Sequence, residues 1–223
     1  ADAAMAMALV DPATTRVLEI DGVTNLGYTS VYLDTDSLDT YLLAARDRRR
    51  RFKVRSRTYE SNGASFLEVK TRRGDHTVKD RLPGLHLNNG RLDDDGAAFV
   101  AHTLRLAGVR TDAVRSLSAS LRVDYRRVTL FHEPTAARVT IDAGLTWWDV
   151  RTGTWLARPE LSIIETKTTG RAAGMDRLLW SLGHRPDCIS KYATGLAAMH
   201  AHLPQNKWRP VLKRHFAGHL ACA

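Results

Sequence analysis

The chain has 223 residues, 43% of them hydrophobic, which is enough to bury a globular core. Thirty-three Lys and Arg against 24 Asp and Glu give a formal net charge of +9, which points to an anionic partner: nucleic acid, an anionic membrane surface or polyphosphate. Two cysteines, Cys188 and Cys222, imply no disulfide framework and suit a reducing, cytoplasmic setting, and no run is long and apolar enough to span a bilayer.

Ala1 to Val10 is an Ala/Met-rich run that reads as helical. Helical pattern from the first residue, with no initiating Met, predicts an excised fragment of a longer chain. Thr15 to Ile20 alternates as a strand before the Asp21-Gly22 turn, and Ser30 to Leu33 reads as another. Asp36-Ser37 is expected to cap a helix in which Leu38, Tyr41, Leu42 and Ala45 recur at helical spacing. From Arg51 to Tyr59, alternation places Arg51, Lys53, Arg55 and Arg57 on one face of a strand and Phe52 and Val54 on the other. Asn62-Gly63 turns the chain into Ser65 to Arg72, where Glu68, Lys70 and Arg72 oppose Leu67 and Val69. Gly74-Asp75 leads into Thr77 to Arg81, where Lys79 and Arg81 share a face. The expectation is a three-stranded meander, each strand with a cationic side.

Asp93-Asp94-Asp95 suits the start of a helix from about Gly96 to Leu106, which Gly108 closes. Strands resume at Leu121 to Arg127, Arg138 to Asp142, Leu145 to Val150 and Leu161 to Lys167. Helices are expected from Met175 to Leu182 and from Ser190 to about His202, followed by a basic tail from Lys207 to Arg214. That tail and Arg48 to Arg51 suit either a solvated surface or contact with long polyphosphate. With no linker or low-complexity tract, the pattern predicts one α+β domain dominated by antiparallel strands, 1–223.

Four cations on one strand repel one another unless anions sit among them, and a closed barrel can point them inward while helices cover its apolar outside. Arg suits phosphate through its two parallel N–H donors, and Lys acts as a mobile charge. Glu68 and Glu165 interrupt the cations, each two residues before a Lys on the same face. They are candidate ligands for Mg²⁺ or Mn²⁺, which share oxygen ligands with phosphates; the plain alternative is that each neutralises neighbouring Lys and Arg. The nine histidines show no zinc-site spacing, and Trp147, Trp148 and Trp155 read as packing residues.

Six segments, Tyr28 to Thr35, Arg51 to Tyr59, Ser65 to Lys70, Arg138 to Asp142, Ile164 to Lys167 and Ile189 to Tyr192, resemble in order and spacing the VTC domain of the triphosphate tunnel metalloenzymes, and the chain looks like a bacterial member. The resemblance implies an antiparallel β-barrel, the tunnel, with helices packed outside. In it ATP donates its γ-phosphoryl group to a growing inorganic polyphosphate chain with Mn²⁺ or Mg²⁺ as cofactor. It further implies that Arg55 and Arg57 hold nucleotide phosphates, that Lys70, Lys79 and Arg138 line the tunnel, and that Arg127 belongs to the Tyr-x-Arg element. Glu165 corresponds to the metal glutamate, and Ser190 with Lys191 to the Ser-Lys pair opening the closing helix. Arg51, Lys53, Arg72 and Lys167 are expected to bind substrate on the same cationic faces. Alternation counted from Leu121 instead points Arg122 and Arg126 inward, and a bulge would reconcile the two readings. The family begins with a strand carrying a basic residue, which nothing before Ala1 supplies, so the fragment is expected to lack that strand.

A triphosphatase, with water as acceptor, and a binding-only polyphosphate sensor share these residues. A nucleic-acid-binding module has charge alone in its favour, since acidic residues interrupt the face that phosphates would touch.

Overall fold

The computed structural model describes residues 7–74, 76–168, 170 and 172–217. Most of the expected opening helix, Asp75 of the second turn and Cys222 lie outside them. The strands are β1 (Thr15–Val17), β2 (Leu26–Asp34), β3 (Phe52–Tyr59), β4 (Ser65–Arg73), β5 (His76–Pro83), β6 (Leu87–Asn88), β7 (Arg91–Leu92), β8 (Ser118–His132), β9 (Ala137–Asp149), β10 (Trp155–Arg158) and β11 (Ile163–Lys167). The helices are α1 (Asp39–Ala45), α2 (Asp94–Leu106), α3 (Gly174–Ser181), α4 (Lys191–Met199) and α5 (Arg209–His215). The architecture is α+β and mainly antiparallel, as the alternation predicts.

Hydrogen bonding follows the order β10-β9-β8-β2-β3-β4-β5, with β1 on β8 and β11 on β9. The path is open: among the described residues its two end strands do not pair, so hydrogen bonds do not close the expected barrel. Strand β5 has the character of an edge, with His76, Lys79, Asp80 and Arg81 along it and Pro83 at its end. The chain divides into two compact units. One comprises the described parts of Ala1–Tyr28, Asp124–Thr146 and Ala157–Asp187; the other comprises Thr29–Val123, Trp147–Leu156 and the described part of Cys188–Ala223.

In the second unit the meander forms with the expected faces. Phe52, Val54, Leu67 and Val69 pack with Val100 and Leu104 of α2, and the last five of these six are fully buried. Each such side chain contributes roughly 1.5–3 kcal/mol when buried. A slip of one residue would drive Arg55, Glu68 and Lys70 into that apolar layer, so the core locks the register that aligns the cations. Helix α2 begins on Asp93, whose carboxylate accepts from Gly96 N at 2.7 Å, as the acidic start predicts.

The start of α1 differs from expectation. Its N-cap is Leu38 in the left-handed region (φ 58°), and the cap bonds come from Asp34 and Thr35 rather than Asp36-Ser37. Thr35 Oγ1 accepts from Asp39 N, and Asp34 accepts from Thr40 N and Tyr41 N at 2.8 and 2.9 Å. The basic tail is also folded: Val211 and Leu212 of α5 are buried, and Trp208 packs on Tyr41 at 5.5 Å between ring centroids.

In the first unit, β9 is one strand where two were expected, with Gly144 (φ 61°) inside it. Leu130, Val139 and Ile141 form an apolar cluster with Met175 of α3. No described helix is long and apolar enough to cross a membrane.

Helix α4 sits against Trp147, whose Nε1 donates to Lys191 O at 2.8 Å. A Cβ on Gly195 would lie 2.3 Å from Trp147 Cδ1. In an open helix Gly→Ala stabilises by about 0.5–1 kcal/mol. Here overpacking dominates, so Gly195→Ala is expected to destabilise by roughly 1–3 kcal/mol, read as a lower urea midpoint at unchanged slope.

Candidate anion-binding site

The register of β3, β4 and β5 sets the cations of the second unit in rows. Lys53 lies opposite Lys70, and Lys70 opposite Lys79. In the next row Arg55 faces Glu68 and Glu68 faces Arg81. Like charges directly opposite on neighbouring strands are destabilising, and the lysine row contains no carboxylate. Lys79 leans out of its row to reach Glu68 Oε1 at 2.8 Å, and Lys53 Nζ donates to Ser190 Oγ at 2.8 Å. Burial, followed by neighbouring cations including Arg55, lowers the pKa of both lysines from its ordinary value; Tyr32 opposes the shift at Lys53, and Glu68 at Lys79.

Glu68 is 1% exposed and enclosed by cations: Arg55 Nη2 lies 2.6 Å from Oε2, and Lys79 and Arg81 lie 2.8 and 3.4 Å from Oε1. Burial pushes its carboxyl up, but Arg55, Arg57 and Lys79 outweigh that and bring it down to about 2. Both carboxylate oxygens are therefore engaged by Arg and Lys. Arg57 is buried and its Nε donates to Ser30 Oγ at 3.3 Å.

Ser190 caps α4, its Oγ accepting from Ala193 N at 3.2 Å, and Lys191 is the first helical residue. Arg51 stands one residue before β3 and pairs with Asp47 at 3.2 Å. With Lys53, Lys70, Arg72 and Thr77 it lines a recess of about 200 Å³. Arg72 Nε donates to Gly74 O at 3.0 Å.

The remaining candidates belong to the first unit. Arg127 grips both oxygens of Asp142, at 2.5 and 2.7 Å, and lies over the rings of Tyr28 and Tyr125. Burial works against its charge, and the Asp142 carboxylate more than restores it, raising the guanidinium pKa. Alternation runs unbroken from Leu121 to Arg127, but the buried side is that of Leu121, Val123 and Tyr125, so Arg127 follows it inward. Arg122 and Arg126 are exposed, on the side of β8 opposite the buried Leu121, Val123 and Tyr125. On β11, Glu165 faces Thr140 of β9 and Lys167 faces Arg138. Glu165 and Lys167 are about half-exposed and lie 3.5 Å apart.

Among the described residues, no group of three or more His, Cys, Asp and Glu gathers as metal ligands do. Sequence reasoning passed over Tyr32, Arg81 and Asp142. Arg81 was visible on the face of Lys79. Asp142 and Tyr32 gave no signal, because each gains its role from a neighbouring strand.

A helix-backed antiparallel sheet with rows of Arg and Lys on its other face is a scaffold for anions of high charge density. A family model described as the VTC domain matches residues 10–200, and the chain belongs to that family, in agreement with its motifs. No curated protein is similar to it in sequence. Among solved structures, a Bacillus halodurans protein described as a candidate adenylate cyclase is 11% identical, with a TM-score of 0.41 over 70% of this chain and 79% of that one. A Pyrococcus horikoshii OT3 protein is 13% identical, with a TM-score of 0.36 over 77% and 76%.

Removing the Glu68 charge would leave the largely buried Arg55 guanidinium without its partner, a loss of about 3–5 kcal/mol. Glu68→Gln is therefore expected to lower the unfolding midpoint sharply at pH 7. Because the folded pKa is depressed, the stabilisation is complete above the unfolded value and disappears as pH falls through about 2. Denaturant titrations of both proteins should thus differ at pH 6 to 8 and converge near pH 2.

Proposed function

We propose that the protein is a polyphosphate polymerase that transfers the γ-phosphoryl of ATP to a growing inorganic polyphosphate chain. The observation that carries this reading is the Lys53, Lys70 and Lys79 row beside Arg55, Arg57 and Lys191, a density of positive charge suited to a polyanion. Family membership supports it.

In this reading Arg55 and Arg57 orient the nucleotide phosphates. Glu68 holds the Arg55 guanidinium in place before substrate arrives, so little reorganisation accompanies the reaction. Lys70 and Lys79, with Lys53, Arg51 and Arg72 along the recess, neutralise the following phosphates. Ser190 and Lys191 present the start of α4 to a phosphate oxygen; Arg127, Arg138 and Lys167 are further phosphate-facing cations by the resemblance of the motifs alone. The attacking oxygen belongs to phosphate or polyphosphate, so no protein nucleophile is needed.

Glu165 fits a divalent cation such as Mn²⁺ or Mg²⁺ as a half-exposed carboxylate, provided that substrate oxygens complete the set. Bound there, the ion would neutralise charge on the transferred group. Glu68 fits poorly, since three cations surround it.

Incubation with ATP and Mn²⁺, with and without a short polyphosphate primer, should yield polymer on a gel. Arg55→Ala is expected to lower turnover by about 10²–10³-fold, and Glu165→Ala to abolish polymer. Phosphate release without polymer would make the protein a triphosphatase. Polyphosphate binding with neither product would make it a sensor.

A further inference from the structure

Tyr32 is 5% exposed and stands on β2 beside the cationic face of β3. Its hydroxyl accepts from Arg55 Nη1 at 3.1 Å, and among the described residues nothing accepts the hydroxyl's own proton. The charges acting on it are Arg55, Arg57 and Lys53 of β3 and Lys191 of α4, all cations. The nearby carboxylates are engaged elsewhere, Glu68 with Arg55, Lys79 and Arg81, and Asp34 with Thr40 and with Tyr192, whose ring stacks on Tyr32 at 5.1 Å between centroids. A buried phenol that can donate only into a group of donors calls for an acceptor that these donors also recognise. A phosphate oxygen meets that requirement, because it takes the Tyr O–H and the Arg N–H together.

We propose that the Tyr32 hydroxyl is a phosphate-contacting residue of this site that donates its proton to the bound anion, and that in mild base this proton is taken up from solution as the anion enters. The inference rests on the site being a phosphate site. Without an anion, burial raises the phenol pKa, but Arg55, Lys191, Arg57 and Lys53 outweigh it and bring it to about 8, so in mild base a tyrosinate serves as the resident counter-charge. Phosphate repels that tyrosinate and raises its pKa. Above about pH 8 the complex therefore binds up to one more proton than the free protein, so the contribution of Tyr32 to affinity is constant below that pH and falls as pH rises above it.

The experiment compares wild type with Tyr32→Phe, which keeps the ring on Tyr192. ATP binding in EDTA is measured by calorimetry at pH 7 and pH 9.5, and tyrosinate absorbance at 295 nm is followed from pH 6 to 11 with and without ATP. At pH 7 the variant should bind about tenfold or more weakly. From pH 7 to 9.5, wild-type affinity should fall up to roughly thirtyfold more than that of the variant, bringing the two together. A tyrosinate step near pH 8 should be present in wild type, absent from the variant and moved upward by ATP. Equal affinities at both pH values, or a step that ATP does not move, would overturn the inference and leave the phosphate site standing. Failure of wild type to bind ATP at either pH would overturn the phosphate site and the role of Tyr32 with it.

Discussion

Glu68 carries its charge where water is nearly excluded, and Arg55, Lys79 and Arg81 converge on it from β3 and β5. A buried carboxylate with one cation is close to break-even, because desolvation offsets the attraction. With three cations and both oxygens engaged, the balance shifts firmly towards the charged form. The arrangement does more than stabilise the sheet: it spreads Arg55, Lys79 and Arg81 around a fixed point and so sets the spacing of the positive charges that an incoming anion would meet.

That placement depends on the layer beneath. Val54, Leu67 and Val69 fill the side of the meander facing α2, and their two-residue period leaves no alternative register in which the apolar side chains remain dry. The repulsion among the aligned lysines is thus held in place by hydrophobic burial on the opposite face. An anion with several charges bound across the row would relieve it.

A second buried carboxylate, Asp34, organises the neighbourhood of Tyr32. It accepts from the backbone of Thr35, Thr40 and Tyr41, from the Thr40 hydroxyl and from the Tyr192 hydroxyl. Burial and the Asp34 charge keep the Tyr192 phenol protonated, with its pKa well above the ordinary value. Through this one residue β2, which carries Tyr32, is tied to α1 and to α4, which carries Lys191. The two stacked tyrosines therefore have opposite electrostatics: Tyr192 faces an anion, and Tyr32 faces cations.

The meander from Arg51 to Arg81 and the helix after Asp93 were legible from local pattern, because period-two alternation and a capped apolar face are properties of neighbouring residues. The sequence by itself determined that Lys53, Arg55 and Arg57 share one face of β3, Glu68, Lys70 and Arg72 one face of β4, and Lys79 and Arg81 one face of β5, and its ordered motifs were enough for the family. Short elements such as β6, β7 and β10 carry too few residues for a period to register, and the basic composition of α5 masked its two buried apolar positions. What only the tertiary structure decided was which charges meet. Arg127 turned inward onto Asp142, Glu68 went to arginine and lysine, and Tyr32 came to lie among cations, because strand pairing and the docking of α4 bring together residues tens of positions apart, and an ionisable group takes its character from its neighbours in space.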